Sequence, residues 1–233
     1  LYSNQGRFAE AEAYYRACLA IYEVQGYQRG LANITSNLGS NFARNGHYRE
    51  ALPLYQQAYT LAQAVGEELM IAIVLSNLGS ISRALADYVA AEDYYQESLN
   101  RCRVIGERRW IVAGRNGLGL THLEQEKFTE AHAQYSAALT LAQEIGSKPD
   151  LLDALSGLGE IIYRRGQLPQ AAAILYFVAH HPMTQTPARQ RSQQVLTHLQ
   201  PQLSTAEQNA AMTLAAKHDW QEIVTLAVCV TVR

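Results

Sequence analysis

The chain has 233 residues, of which 48% are hydrophobic and 17% are charged, and its formal net charge is −2. This near-balance gives no electrostatic reason to expect nucleic acid or an anionic membrane surface as a partner. The sequence shows neither a membrane-spanning apolar run nor a signal peptide. Its three widely separated cysteines predict free thiols in a reducing compartment. We therefore expect a cytoplasmic protein without a disulfide framework.

A Leu-Gly pair returns along the chain at a constant spacing of forty residues. An alanine follows each of these leucines after thirteen residues, and a tyrosine or leucine follows the alanine after four more. The pairs are Leu38-Gly39, Leu78-Gly79, Leu118-Gly119 and Leu158-Gly159; the alanines are Ala51, Ala91, Ala131 and Ala171, with Ala11 one spacing upstream; the residues after the alanines are Tyr15, Tyr55, Tyr95, Tyr135 and Leu175. Such self-similarity predicts a solenoid of stacked units.

Residues 1–26 are predicted to form half of a repeat. Residues 1–6 predict the end of a helix that Gly6 closes, because glycine adopts the left-handed conformation without strain. Residues 8–25 predict an amphipathic helix with apolar residues at helical spacing. Its apolar residues are Phe8, Ala11, Tyr15, Cys18, Leu19 and Tyr22. The chain would then start within a repeat, and we expect it to come from a longer array or a larger protein.

Four complete two-helix units follow, at 27–66, 67–106, 107–146 and 147–180. In each unit the first helix, helix A, carries the Leu-Gly pair, and the second, helix B, carries the alanine and the tyrosine or leucine. Turns separate the two helices at Asn45-Gly46-His47, Ala86-Asp87, Glu126-Lys127 and Gly166-Gln167. A glycine inside a helix costs about 1 kcal/mol relative to alanine. We therefore expect Gly39 and its copies to face Ala51 and its copies, so that the two helices approach closely, with Leu38 and Tyr55 filling the sides of the contact.

The repeat pattern ends after Ala179, and residues 181–233 predict a helical cap on the last unit. His180 to Pro187 predicts a loop, since two prolines disfavour helix there. Three short helices are expected at about 188–199, 205–217 and 219–229. Ser204 and Glu207 have the spacing of a capping box, and Asp219 can cap the last helix. Apolar faces are expected from Val195, Leu196, Leu199, Met212, Leu214, Trp220, Ile223, Val224 and Leu226.

The spacing of Leu-Gly, alanine and tyrosine resembles the tetratricopeptide repeat. The resemblance implies an all-α solenoid of antiparallel helix pairs wound into a right-handed superhelix. The forty-residue spacing is similar to the Leu-Gly-Asn adaptors, although Ser40, Ser80, Leu120 and Glu160 replace their asparagine. It also resembles the C-terminal arm of bacterial STAND signalling ATPases, whose arm ends resemble Leu203-Ser204 and Trp220-Gln221-Glu222-Ile223-Val224 here. We favour this second likeness.

The resemblance implies a binding groove on the concave side, lined by helix A. The groove positions are Asn33, Ser36, Asn37, Ser40 and Arg44, then Ile73, Ser76, Asn77, Ser80 and Arg83, then Ala113, Asn116, Gly117, Leu120 and Glu124, and last Asp153, Ser156, Gly157, Glu160, Tyr163 and Arg164. Asparagine side chains can donate to and accept from a peptide backbone, which suits an extended protein or peptide ligand. The alternative is a solvated face without a ligand.

Other kinds of site find no support in the sequence. A chaperone-type carboxylate clamp lacks its cations, since only Asn77 fits that pattern. His180 and His181 are adjacent and have no supporting cysteine or carboxylate cluster, so we expect no metal. No phosphate-binding loop and no catalytic constellation is present, so we expect neither cofactor nor enzymatic activity. The predicted function is a non-catalytic interaction module, the sensor or partner-binding arm of a larger bacterial signalling protein that has an upstream nucleotide-binding domain. The alternative is a stand-alone adaptor or a structural scaffold.

Overall fold

The computed structural model describes residues 8–217 and 219–228, which form helices and no strand. The helices are α1 Phe8–Gln25, α2 Gln28–Arg44, α3 Tyr48–Val65, α4 Glu68–Ala84, α5 Tyr88–Ile105, α6 Arg108–Glu124, α7 Phe128–Glu144, α8 Lys148–Arg164, α9 Leu168–His180, α10 Thr186–Leu199, α11 Thr205–Ala216 and α12 Trp220–Val228, with a 3₁₀ turn at Gln200–Gln202. The expected helix tail at 1–6, and Cys229, lie outside the described residues. The all-α prediction is confirmed.

The chain divides into two compact units, Leu1–Gly117 and Leu118–Arg233, and the division falls within α6. In the first unit α2 packs on α3 and α4 packs on α5, while α1 packs on α2 and α3 on α4. Each helix therefore contacts the next one along the chain, as expected for stacked helix pairs. One apolar cluster joins these pairs; its buried residues are Ala51, Tyr55, Ala58, Val74, Leu78 and Ile81.

The turns between helix A and helix B require one residue with a positive φ angle. Gly46 and Gly166 supply it with φ of 80° and 79°. In the two middle repeats Ala86 and Glu126 take the same conformation, with φ of 62° and 60°. Side chains are unfavourable there, so the repeat geometry overrides the local preference of these two residues.

The expected pairing of the repeat glycine with the repeat alanine is wrong. A Cβ atom on Gly39 would meet the ring of Tyr55 at 3.2 Å, and one on Gly79 would meet the ring of Tyr95 at 3.0 Å. Gly119 has the same relation to Tyr135. In these three repeats the glycine therefore makes room for the tyrosine of its own helix B, which lies one helical turn beyond the alanine. In the fourth repeat a Cβ on Gly159 would meet Leu175, which has the place of the tyrosine, at 2.9 Å.

In the second unit α7 packs on α8 and α8 on α9, and three further helices follow. Helix α10 packs on both α8 and α9, α11 packs on α9, and α12 contacts both α8 and α9. The expected capping box is present, because the Ser204 hydroxyl accepts from the Glu207 N–H and Glu207 accepts from the Ser204 N–H. Asp219 likewise accepts from the N–H groups of Gln221 and Glu222. Both predicted helix starts are confirmed.

Two expectations for this C-terminal segment are wrong. The loop is shorter than expected: α9 continues to His180, and α10 begins at Thr186 with Pro187 in its first turn. Proline is tolerated there because the first N–H groups of a helix have no partner within it. Met212 is half exposed, and Ala211 and Ala215 are the buried residues of α11 instead. Small residues face inward because α11 lies close against α9.

Candidate binding face

The predicted groove residues of the first unit lie on helices α2, α4 and the start of α6, and we call this side the helix-A face. Asn33, Asn37 and Arg44 are exposed on α2, whereas Ser36 is buried and Ser40 is half-buried. On α4 and α6 the predicted residues are all half-buried; they are Ile73, Ser76, Asn77, Ser80, Arg83 and Asn116. The face therefore presents exposed amides beside partly covered polar groups.

A chain of hydrogen bonds joins helices α2, α3 and α4 beneath this face. The Tyr55 hydroxyl donates to Ser40 Oγ at 2.9 Å, and Ser40 Oγ donates to the Ser36 carbonyl at 3.0 Å. Asn77 Nδ2 approaches Ser36 Oγ at 3.5 Å. Burial raises the pKa of Tyr55, while its bond to Ser40 acts in the opposite direction, so the phenol stays a neutral donor. Ser36 and Ser40 thus hold the helices in place, and Asn33, Asn37 and Asn77 are the amides left nearer the surface.

Two predicted groove glycines do not face solvent. A Cβ on Gly117 would clash with the Tyr95 ring, and a Cβ on Gly157 would clash with the Tyr135 ring. Each tyrosine therefore lies between two glycines, one on its own helix A and one on the next. Gly117 and Gly157 have the same place in the third and fourth repeats as Asn37 and Asn77 in the first two. Because both glycines pack against tyrosine rings, the prediction that they line the groove is wrong.

In the second unit the predicted residues divide between covered and open positions. Leu120 is half-buried and Glu124 is exposed. Ser156 is fully buried against α10. Its hydroxyl lies 3.0 Å from the Ser192 hydroxyl and donates to the Ala188 carbonyl. Helix α10 thus covers the middle of the α8 face, which the repeat pattern had predicted to be open.

Beyond this covered part, a cleft of about 620 Å³ opens between the C-terminal half of α8 and α10. Its lining residues are Glu160, Tyr163, Arg164, Gly166, Leu168, Arg191, Gln194, Val195, His198 and Gln202. Glu160, Tyr163 and Arg164 were expected in the groove, whereas the residues of α10 were not. Arg191, Gln194, His198 and Gln202 recur at helical spacing, which is the sequence signal that could have revealed a polar stripe.

The charges at this cleft come from both helices. Arg164 lies 3.5 Å from Glu160 one turn earlier on α8. Asp153, also on α8, is partly buried, and burial raises its pKa to about 6; the nearby Arg191 lowers the pKa and Asp150 raises it, both less strongly. Around neutral pH Asp153 is therefore mostly ionised beside Arg191, but a small drop in pH protonates it.

The two adjacent histidines have structural roles. His181 packs against the rings of Phe177 and Trp220, with its Nδ1 accepting from the Met183 N–H. His180 Nδ1 lies 2.9 Å from the Tyr176 carbonyl. Across 8–217 and 219–228, no three histidine, cysteine or acidic side chains cluster as metal ligands would, nor does any helix there have the length and apolar character to cross a bilayer. Cys18 and Cys102 are free thiols.

Solved structures with the same fold include two of particular interest. BtubC (BKLC) from P. vanneervenii matches with a TM-score of 0.67 and 16% identity, over 91% of this chain and 89% of that one. A Signal Transduction ATPase with Numerous Domains (STAND) from Pyrococcus horikoshii, which has a tetratricopeptide repeat sensor, matches with a TM-score of 0.62 and 16% identity. That match covers 92% of this chain and 37% of the ATPase. At these identities the likeness shows the fold alone.

Comparison with curated protein sequences finds no significant match. Two family models described as tetratricopeptide repeat do match, one over residues 1–64 and 70–144 and the other over 36–103 and 116–177. Together they span the repeats defined above by the Leu-Gly spacing and by the glycine–tyrosine packing. The chain belongs to the tetratricopeptide repeat family.

Proposed function

We propose that this chain is a non-catalytic, cytoplasmic arm that binds a protein or peptide along its helix-A face, within a larger signalling protein. Tetratricopeptide repeats are generally protein-interaction modules, which supports the binding role. The observation that carries the proposal is the pair of amides on adjacent repeats, exposed Asn37 on α2 and half-buried Asn77 on α4. An amide can donate to and accept from the backbone of an extended ligand.

The signalling role is supported by the STAND relative, in which a tetratricopeptide repeat region is described as the sensor. In such an arrangement the ligand would bind one state of the arm more tightly than the other and so shift the state of a nucleotide-binding domain. That domain would lie upstream in the same protein. We expect the role to require no cofactor and no nucleic acid.

The binding role is tested by peptide selection with the purified chain, followed by affinity measurements on the selected peptide. Replacing both amides, Asn37→Ala with Asn77→Ala, should weaken binding by at least about tenfold, since each lost hydrogen bond contributes about 1 kcal/mol. The matched control replaces two exposed amides of helix B, Gln57→Ala with Gln63→Ala, and should leave affinity unchanged. Equal affinities for both double variants would place the ligand elsewhere.

A stand-alone adaptor or scaffold is the second candidate. It is supported by BtubC, because the match covers 89% of that chain as well as 91% of this one. The complete gene separates the two candidates: a nucleotide-binding core upstream supports the signalling arm, and a short reading frame without one supports the adaptor.

A further inference from the structure

The cleft between α8 and α10 is lined by side chains of α8, which belongs to the last repeat, and by side chains of α10, which lies outside the repeats. Helix α8 contributes Arg164 and Tyr163 at its C-terminal end, and α10 contributes Arg191, Gln194 and His198. Its volume of about 620 Å³ falls within the range of ordinary ligand sites. The two guanidinium groups come from different helices, so a group bound between them would contact both.

Hydrogen-bond donors predominate at this cleft. Among the described residues, Arg164 is held only by Glu160 at 3.5 Å, and its side chain is 49% exposed, so the ion pair restrains it weakly. Within the part of the chain that the structure describes, Arg191 makes no hydrogen bond, and it interacts with the charge of Asp153. Gln202 Nε2, at the far end of the cleft, donates to the His198 carbonyl at 2.8 Å and lies 3.5 Å from the Tyr163 hydroxyl. The groups left to bind a ligand are therefore mainly cationic donors.

We propose that this cleft binds a carboxylate-bearing peptide segment of a protein partner, with Arg164 and Arg191 as the groups that contact the carboxylates. Paired N–H groups of a guanidinium match the two oxygens of a carboxylate. The inference rests on the proposed function, since a peptide is the ligand class of a protein-binding arm, but it concerns a site apart from the Asn37 and Asn77 face.

Asp153 makes the proposed site sensitive to pH. Its carboxylate lies near Arg191 and competes with a ligand for that charge. Glu160 competes in the same way for Arg164, and His198 lies on the opposite side of the cleft. Protonation of Asp153 removes the competitor, so an acidic peptide should bind more tightly as the pH falls from 7.5 towards 5.5.

The test uses a fluorescein-labelled peptide of alternating glutamate and glycine, with a glutamine–glycine peptide as the neutral probe, and measures fluorescence anisotropy with the whole chain. Arg164→Ala and Arg191→Ala should each weaken binding of the acidic peptide by about tenfold or more. Arg49→Ala removes an exposed charge from α3 and is the matched control, with a change below about twofold. Asp153→Asn should increase the affinity for the acidic peptide at pH 7.5 and make that affinity less dependent on pH. Adding His198→Gln to the Asp153→Asn variant removes any effect of the histidine on the affinity.

Equal binding of the acidic and neutral peptides, or equal losses in the Arg49 and Arg164 variants, would overturn the proposal. Because the Arg164 side chain is half exposed, its variant should fold even if the Arg191 variant does not, and circular dichroism checks both. Arg191→Lys keeps the charge but not the paired geometry, so an intermediate affinity supports direct carboxylate contact. These tests can fail while the Asn37→Ala/Asn77→Ala variant still binds its selected peptide more weakly than the parent does. In that case the proposed function stands and only the α8–α10 site is refuted.

Discussion

At the level of single residues, the tightest constraint in this protein is the space around the repeat tyrosines. Tyr135 is 1% exposed and lies between Gly119 and Gly157. Gly157→Ala should destabilise the protein by about 1–3 kcal/mol, because the added methyl group must displace a buried ring. This loss exceeds the helix-propensity gain of about 1 kcal/mol. Thermal and urea unfolding measure the change.

Gly30→Ala is the matched control for that substitution. Its Cβ would also meet tyrosine rings, chiefly that of Tyr27, but Tyr27 is 48% exposed and can turn away. We therefore expect the Gly30 variant to be as stable as the parent or more stable. If both glycine variants changed stability alike, ring packing would not explain why glycine occupies position 157.

Asp153 should give the protein a distinctive dependence of stability on pH. The pKa of this side chain is raised from 3.8 to about 6 by burial, so between these values the folded chain holds a proton that the unfolded chain releases. Its contribution to stability is therefore greatest below pH 4 and falls as the pH rises to about 6. Asp153→Asn should remove this fall and stabilise the protein by about 2 kcal/mol at pH 7.5.

The pH experiment compares unfolding free energies of the parent and variant from pH 4 to 7.5. The difference between the two proteins isolates Asp153 from other carboxyl groups, such as Glu50 and Glu207, whose pKa values are lowered by hydrogen bonds. Asp93→Asn, at an exposed aspartate of α5, serves as the control. Parallel curves for the parent and the Asp153 variant would contradict the expected role of burial.

At the level of helices, α3 is unusual because Pro53 lies inside it. A proline there removes one backbone hydrogen bond and crowds the preceding turn, at a cost of about 3 kcal/mol. The equivalent residues of the next two repeats are Asp93 and Ala133, so the packing does not demand proline. Pro53→Ala should therefore stabilise the protein by about 1–3 kcal/mol, measured by urea unfolding, and Ala133→Pro in α7 should destabilise it by a similar amount. A Pro53 variant no more stable than the parent would show that the helix has adapted fully to the proline.

Helices were the part of this structure that the sequence predicted best. The forty-residue spacing placed the helices between Phe8 and Gly166 to within about two residues, because each boundary is set by a local turn residue that repeats. Tyr55 was expected beside the contact of Gly39 and not directly opposite it, since Ala51 and Tyr55 lie one turn apart on the same helix and spacing alone cannot choose between them. The α8–α10 cleft was missed as a site because α10 lies outside the repeat, and its packing on α8, which includes the contact of Ser156 with Ser192, does not follow from the repeat spacing.

At the level of the whole molecule, the two compact units each have a core of their own. In the second unit the buried residues of α8 and α9 contact α10, α11 and α12 as well as each other. Nine consecutive residues of α9, 171–179, are buried, so this helix is the centre of the unit. A repeat protein is held together by contacts between neighbouring helices, and in this unit α8, α10, α11 and α12 all pack on α9.

A fragment of residues 107–233 should therefore fold by itself, whereas a fragment of 1–106 should be less stable. The first fragment retains α9 and every helix that packs on it. The second retains α1, whose residues are mostly exposed or half-buried, with Ala11 alone buried among the described residues of that helix. We expect cooperative thermal unfolding for 107–233 and a lower unfolding temperature for 1–106, both followed by circular dichroism. A 107–233 fragment without cooperative unfolding would mean that contacts with the preceding repeats, and not the surroundings of α9, hold the C-terminal helices together.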